Sequence, residues 1–170
     1  AGYWHAVTAG AMIGFPPDTP DTPDAAACLR DAAEIALRID SKRTRMLLEE
    51  ASQAYRTRVD ELLLVALART AAAYRGAEAM IVEVESHGRS PLPEQSGEVD
   101  LSRTVGWFTA VYPLRLTVSE DLDGCIRHVK QAMRSVPHEG LGYGLLRHCA
   151  SAALREQAGC WPRPTVTFNY

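Results

Sequence analysis

One run of the sequence limits the possible folds more than any other. Between residues 59 and 86 a helical periodicity passes, across a single glycine, into a strand periodicity. Val59, Leu62, Leu63, Ala66, Leu67 and Thr70 recur at i, i+3, i+4, i+7, i+8 and i+11, the spacing of one helix face. Gly76 follows as a helix stop, because glycine takes the left-handed conformation without steric cost. Met80, Val82 and Val84 then alternate with Ile81, Glu83 and Glu85, which predicts a strand ending at Ser86. A helix followed at once by a strand with one apolar face calls for a layered α/β domain.

The flanking segments extend that pattern. Residues 1–14 read as the end of a helix, and Phe15 to Asp24 (FPPDTPDTPD) as an exposed linker, since repeated proline blocks both helix and ladder. Ala33 to Asp40 alternates, with Ile35, Leu37 and Ile39 on one face, and predicts a half-buried strand. Ser41 is then the expected N-cap of a helix through about Gln53. Residues 88–100 are loop. A long strand is expected from Thr104 to Val118, with an edge, bulge or bend at Pro113. Ser119, Glu120 and Asp121 open a helix bearing Leu122, Cys125, Ile126, Val129, Met133 and Val136, stopped by Pro137. Glycines at 140, 142 and 144 precede a short helix near Leu145 to Leu154, and Val166, Phe168 and Tyr170 alternate as a strand. Ending inside a strand, the chain is expected to be a fragment or one lobe of a larger unit.

Composition removes several classes of function. Eighteen basic and twenty-one acidic side chains give a net charge of -3, too balanced for nucleic acid or an anionic membrane as the main partner. No apolar run approaches the roughly 18 residues of a membrane span, and AGYWHAVTAG lacks the basic flank of a signal peptide. The four cysteines show no C-x-x-C spacing and read as reduced thiols of a cytoplasmic protein, with Cys125 in the core. The histidines are scattered, and His128 and His148 have no second ligand at i+4, so no metal site is expected.

Chemistry is best sought at residues 84–89, VESHGR. Alternation puts Glu83 and Glu85 on the same strand face, as an acid/base pair or as a solvated face. Glu85 is the stronger candidate, because it stands where the strand breaks into a loop, and functional groups concentrate at such junctions. A carboxylate shielded from water there suits proton transfer. The three glycines match neither a Walker loop nor a dinucleotide fingerprint, and no G-x-S-x-G elbow occurs.

Five segments, in order, carry a resemblance. YRTRVDELLLVALA at 55–68, VESHGR at 84–89, SRTVGWFTAVYPLRL at 102–116, PHEGLGYG at 137–144 and FNY at 168–170 follow one motif series. It resembles that of the C-terminal half of an epimerization domain from a non-ribosomal peptide synthetase, in the condensation-domain superfamily. The resemblance implies a lobe like chloramphenicol acetyltransferase, a mixed sheet with helices packed on one face. It makes 33–170 that lobe and 1–32 a connecting segment with the proline-rich linker. The implied reaction inverts the α-carbon, L to D, of an aminoacyl or peptidyl thioester. The substrate rides on the phosphopantetheine arm of a peptidyl carrier protein, and no directly bound cofactor or metal is implied. The N-terminal lobe of the same domain and adjacent synthetase modules are the other implied partners.

Carried over by position, Glu85 is one acid/base group, with Asn169 and Tyr170 positioning the substrate or intermediate. His87, Arg89, Arg103, Trp107 and Tyr143 fall on further motif positions, as substrate-binding candidates. The family's other acid/base group is a histidine of a His-His-x-x-x-Asp-Gly motif. No His-His pair occurs here, so these 170 residues alone are expected to be inactive. Ser86 departs from the motif, which usually has glycine; a positive φ or a close approach of the pantetheine arm there would make serine costly, whereas an extended backbone would make it harmless. A condensation domain forming peptide bonds, or a non-catalytic lobe that docks a carrier protein, are the alternative readings.

Overall fold

The computed structural model describes residues 1–10, 15, 30, 32–89, 101 and 103–170. The proline-rich stretch 16–24, Cys28 and most of the loop expected at 88–100 lie outside them. Helix α1 (Gly2–Thr8) is followed by α2 (Ser41–Arg45), a π-helical turn (Met46–Ala51) and α3 (Ser52–Tyr55). Next come α4 (Val59–Arg75), strands β1 (Ala79–Ser86) and β2 (Ala110–Thr117), and α5 (Leu122–Arg134). A 3₁₀ turn (Pro137–Gly140), α6 (Leu141–His148), α7 (Ala152–Gly159) and β3 (Thr167–Phe168) complete the order. The described strands form one sheet in the order β2-β1-β3, with β1 antiparallel to β2 and parallel to β3.

Helix α4 forms as expected and ends on Gly76 at φ 67, but it buries a different face. The inward residues are Leu64, Val65, Ala68 and Ala71, whereas Ala66 and Thr70 are exposed. The reason lies in LLLVALA, which is apolar on every side. Its periodicity establishes a helix but not the angle at which the helix faces the sheet. The buried face meets Met80, Val82 and Val84 of β1, Leu114 and Leu116 of β2, and Cys125, Ile126 and Val129 of α5. Cys125, Cys149 and Cys160 are unpaired. Residues 2–8, read from the sequence as the end of a helix, form α1 and deliver Trp4 into this core, its ring centroid 5.2 Å from that of Tyr143.

Three further expectations are corrected. Residues 33–40 form no strand: Ile35 and Leu37 are 97% and 88% exposed, because no described strand lies alongside to pair with them. The second strand starts at Ala110 rather than Thr104, since the stretch before it is held by Arg89 instead of by a ladder. Helix α6 starts at Leu141, so Gly142 and Gly144 lie inside a helix rather than ahead of one. Pro113 sits within β2, an edge strand of the described sheet, where a missing N–H is tolerated. No helix among the described residues is long and apolar enough to cross a membrane.

The cap expected at Ser41 is Asp40 instead, and of the three residues expected to open α5 it is Asp121 that caps it. Asp121 Oδ1 accepts from the Gly124 amide at 2.6 Å, and Ser119 Oγ donates to Oδ2 at 3.1 Å. The amide bond, seconded by the hydroxyl, holds the Asp121 carboxyl below its ordinary 3.8. The folded chain therefore binds this proton less readily than the unfolded chain. The stabilisation is complete above the ordinary value and is lost as pH falls through the depressed one. Asp121→Ala is expected to lower the melting temperature at neutral pH. The gap from wild type should close in strong acid; melting curves across that range check it, and a pH-independent gap would contradict the cap's ionic character.

Candidate active site

The register of the parallel pair builds the centre of the site. β1 and β3 align Glu83 with Thr167 and Val84 with Phe168, so the next step along both strands sets Glu85 beside Asn169. Side chains complete the pairing: Thr167 Oγ1 donates to Glu83 Oε1 at 3.3 Å, and Asn169 Nδ2 donates to Glu85 Oε2 at 3.0 Å. Glu85 is half-buried and lines a cavity of about 540 Å³ at the carboxyl ends of these two strands. In open α/β sheets, that end of the strands is where ligands collect.

The walls come from four other places in the chain. The start of α4 supplies Arg58 and Asp60, the end of α5 supplies Met133 and Arg134, the 3₁₀ turn supplies Glu139, and β2 supplies Tyr112. Arg58 grips Asp60 with both prongs, Nε to Oδ1 at 3.0 Å and Nη2 to Oδ2 at 2.8 Å, which raises the Arg58 pKa above its ordinary value. Behind them, buried Glu61 accepts from the Arg58 amide at 2.9 Å and lies 3.9 Å from Arg134 Nε. Burial pushes the Tyr112 phenol above its ordinary value of 10.0, so the cavity meets a neutral hydroxyl at physiological pH. Among the described residues, no group of three or more His, Cys, Asp or Glu side chains is placed to hold a metal ion.

Of the sequence candidates, Glu85, Tyr170 and His87 line this cavity, and Asn169 reaches it through Glu85. The other four lie elsewhere. Arg89 donates to the carbonyls of Leu101 (2.8 Å) and Thr104 (3.0 Å) and lies 4.3 Å from the Phe108 ring centroid, closing these three residues onto the end of β1. Gly88 at φ +63 makes that closure possible, because a Cβ there would overlap the Phe108 carbonyl. Arg103 is exposed and Trp107 is 91% exposed, neither on the cavity wall. Tyr143 is buried, stacked on Trp161 with its hydroxyl accepting from Arg147 at 2.9 Å. It lines a separate cavity of about 380 Å³ with Glu83 and Arg163.

Arg58, Asp60, Arg134 and Glu139 are site residues that the sequence does not single out. Arg58 and Asp60 fall within the 55–68 motif and Glu139 within the 137–144 motif, which is the signal the sequence offers for them; Arg134 falls in none of the five segments. Ser86 is also clarified, since it lies in the ladder opposite Ala110 and is not among the described residues with positive φ.

Residues 1–159 match the Condensation domain family. The chain belongs to the condensation-domain family. Its sequence is 34% identical to a linear gramicidin synthase of Brevibacillus parabrevis, over 99% of this chain and 3% of that protein. It is 33% identical to tyrocidine synthase 1 of the same organism, over 99% of this chain and 15% of that protein. This condensation-family chain thus spans a small part of the relatives it matches. Among solved structures, the epimerization domain from the third module of tyrocidine synthetase B is similar with a TM-score of 0.66 at 32% identity, over 78% of this chain and 29% of that one. The X-domain from teicoplanin biosynthesis, with a TM-score of 0.58 at 24% identity over 88% of this chain and 33% of that one, shares the fold. The α/β class expected from the sequence, a mixed sheet with helices as in chloramphenicol acetyltransferase, is the fold of this condensation-family chain.

Proposed function

We propose that the chain is part of an epimerization domain of a non-ribosomal peptide synthetase. Its substrate is an aminoacyl or peptidyl thioester on the phosphopantetheine arm of a carrier protein, and its product is the α-epimer. The observation that carries this reading is the Glu85 carboxylate, fixed by Asn169 and facing a cavity at the strand ends. A volume of about 540 Å³ falls within the range of about 300–1,000 Å³ usual for small-molecule sites. The likeness to a solved epimerization domain, at 32% identity, supports it as well.

The chemistry needs little beyond placed proton carriers. The thioester carbonyl acidifies the α-C–H bond. When that bond breaks, its electron pair passes into an enolate and the proton moves to a base. A proton returned to the opposite face gives the inverted centre. Glu85 serves one face, and a second acid/base group, from the N-terminal lobe of the same domain, serves the other. Asn169 keeps the Glu85 carboxylate in one rotamer, and Tyr170 at the cavity rim helps to orient the substrate. Carrier protein and adjacent modules deliver and remove the thioester.

The test is to load the carrier with an L-aminoacyl group, incubate it with the natural full-length chain, hydrolyse and separate the enantiomers. A mixture of L and D is expected. Peptide-bond formation with an added acceptor, without D product, would replace this reading by condensation. Asn169→Ala is expected to slow inversion by about tenfold, the effect of losing one hydrogen bond to a charged group at a partly exposed site. Initial rates of D-product formation measure it.

A further inference from the structure

The 3₁₀ turn Pro137–Gly140 contributes Glu139 to the wall of the Glu85 cavity. Its backbone is strained. His138 (φ 49, ψ 40) and Glu139 (φ 49, ψ 34) are both left-handed although neither is glycine. Such residues keep this conformation only where their surroundings over-determine it.

The end of β1 supplies that restraint. Ser86 Oγ donates to the Glu139 carbonyl at 2.9 Å. The next residue, His87, has Nε2 3.5 Å from Glu139 Oε2. His87 Nδ1 accepts from the Arg89 amide at 3.0 Å, so a neutral His87 carries its proton on Nε2, towards the carboxylate. Two consecutive residues therefore hold Glu139 by both its carbonyl and its carboxylate. Ser86 also directly follows Glu85, so the clamp fixes the turn relative to the residue that bears the carboxylate.

We infer that Ser86 is a positioning residue. Its hydroxyl, seconded by His87, pins the strained turn and sets the placement of the Glu139 wall relative to Glu85. Serine here provides a contact that the glycine usual at this motif position lacks. The kinetic consequence rests on the function proposed above; the structural one does not.

The experiment compares Ser86→Ala, Ser86→Gly and Ser86→Thr with wild type in the natural full-length chain. Without the hydroxyl, amide hydrogen exchange at residues 138–141 should speed up by roughly three- to tenfold, with α4 and β1 unchanged. KM for the carrier-loaded thioester should rise by a similar factor with kcat within about twofold of wild type, and Ser86→Thr should restore both. Unchanged exchange at 138–141 in Ser86→Ala overturns the clamp whatever reaction the domain performs. Faster exchange with an unchanged KM overturns the positioning role. Faster exchange alongside a wild type that makes no D product supports the clamp and rejects the epimerization reading.

Discussion

Glu85→Gln is expected to reduce the rate of α-proton exchange by about a hundredfold to ten-thousandfold, the range that a placed general acid or base contributes. The substitution isolates proton transfer from positioning. A glutamine carbonyl oxygen still accepts the 3.0 Å hydrogen bond from Asn169, so the rotamer and the β1–β3 pairing persist. What is lost is a group able to take up and return a proton. Because Glu85 is half-buried and no core side chain moves, the melting temperature should stay within about 2 °C of wild type, as for other substitutions outside the core. A large fall in activity with an intact fold is the expected pair of results. Exchange at the wild-type rate would remove Glu85 from the chemistry.

Gly140→Ala should have the largest effect on the fold. Gly140 ends the strained turn at φ +89, a region costly for any residue with a side chain, and a Cβ there would overlap the Tyr112 ring. Tyr112 is 4% exposed and lies in the main core, with its ring centroid 6.1 Å from that of Trp4, so moving its ring disturbs that packing. Left-handed strain of about 1–2 kcal/mol and overpacking of about 1–3 kcal/mol together give a loss of roughly 3 kcal/mol. In a domain of this size, that is a fall of roughly 10 °C in melting temperature. Urea unfolding should show a lower midpoint at unchanged slope. Combining Gly140→Ala with Tyr112→Leu should cost less than the sum of the two changes, because the leucine vacates the ring position. Strict additivity would show that the overlap is relieved elsewhere.

What could be read from the sequence follows from how local each signal is. The α4–β1 unit was legible because helix, glycine stop and alternating strand lie within one short run, and Gly76 takes its expected left-handed form. The face that α4 buries was not legible: in a stretch apolar all round, only the shape of the sheet decides which leucines turn inward. Residues 33–40 alternate as a strand does, but alternation names no partner, and Ile35 is 97% exposed. Within the site, Glu85 was visible as a carboxylate at a strand end. Its partner Asn169 stands 84 positions away in sequence and meets it only through the parallel register. Arg58, Asp60 and Arg134 reach the same cavity from helix ends, where charged residues are common for reasons of capping and solvation. Ser86 departs from the family motif, and the sequence left open whether the change was costly or harmless. The structure places it in an ordinary strand, with its hydroxyl bonded to Glu139.

The central claim is that Glu85 faces the α-carbon of a carrier-bound thioester and exchanges its proton. Incubating the natural full-length chain with an L-aminoacyl carrier in deuterated water, and following the α-position by mass spectrometry alongside enantiomer ratio, tests it directly. The account predicts that deuterium enters the α-carbon together with the D product in wild type, and that Glu85→Gln suppresses this appearance of labelled D product. A wild-type domain that leaves the α-carbon unlabelled while joining the thioester to an amine acceptor would contradict it.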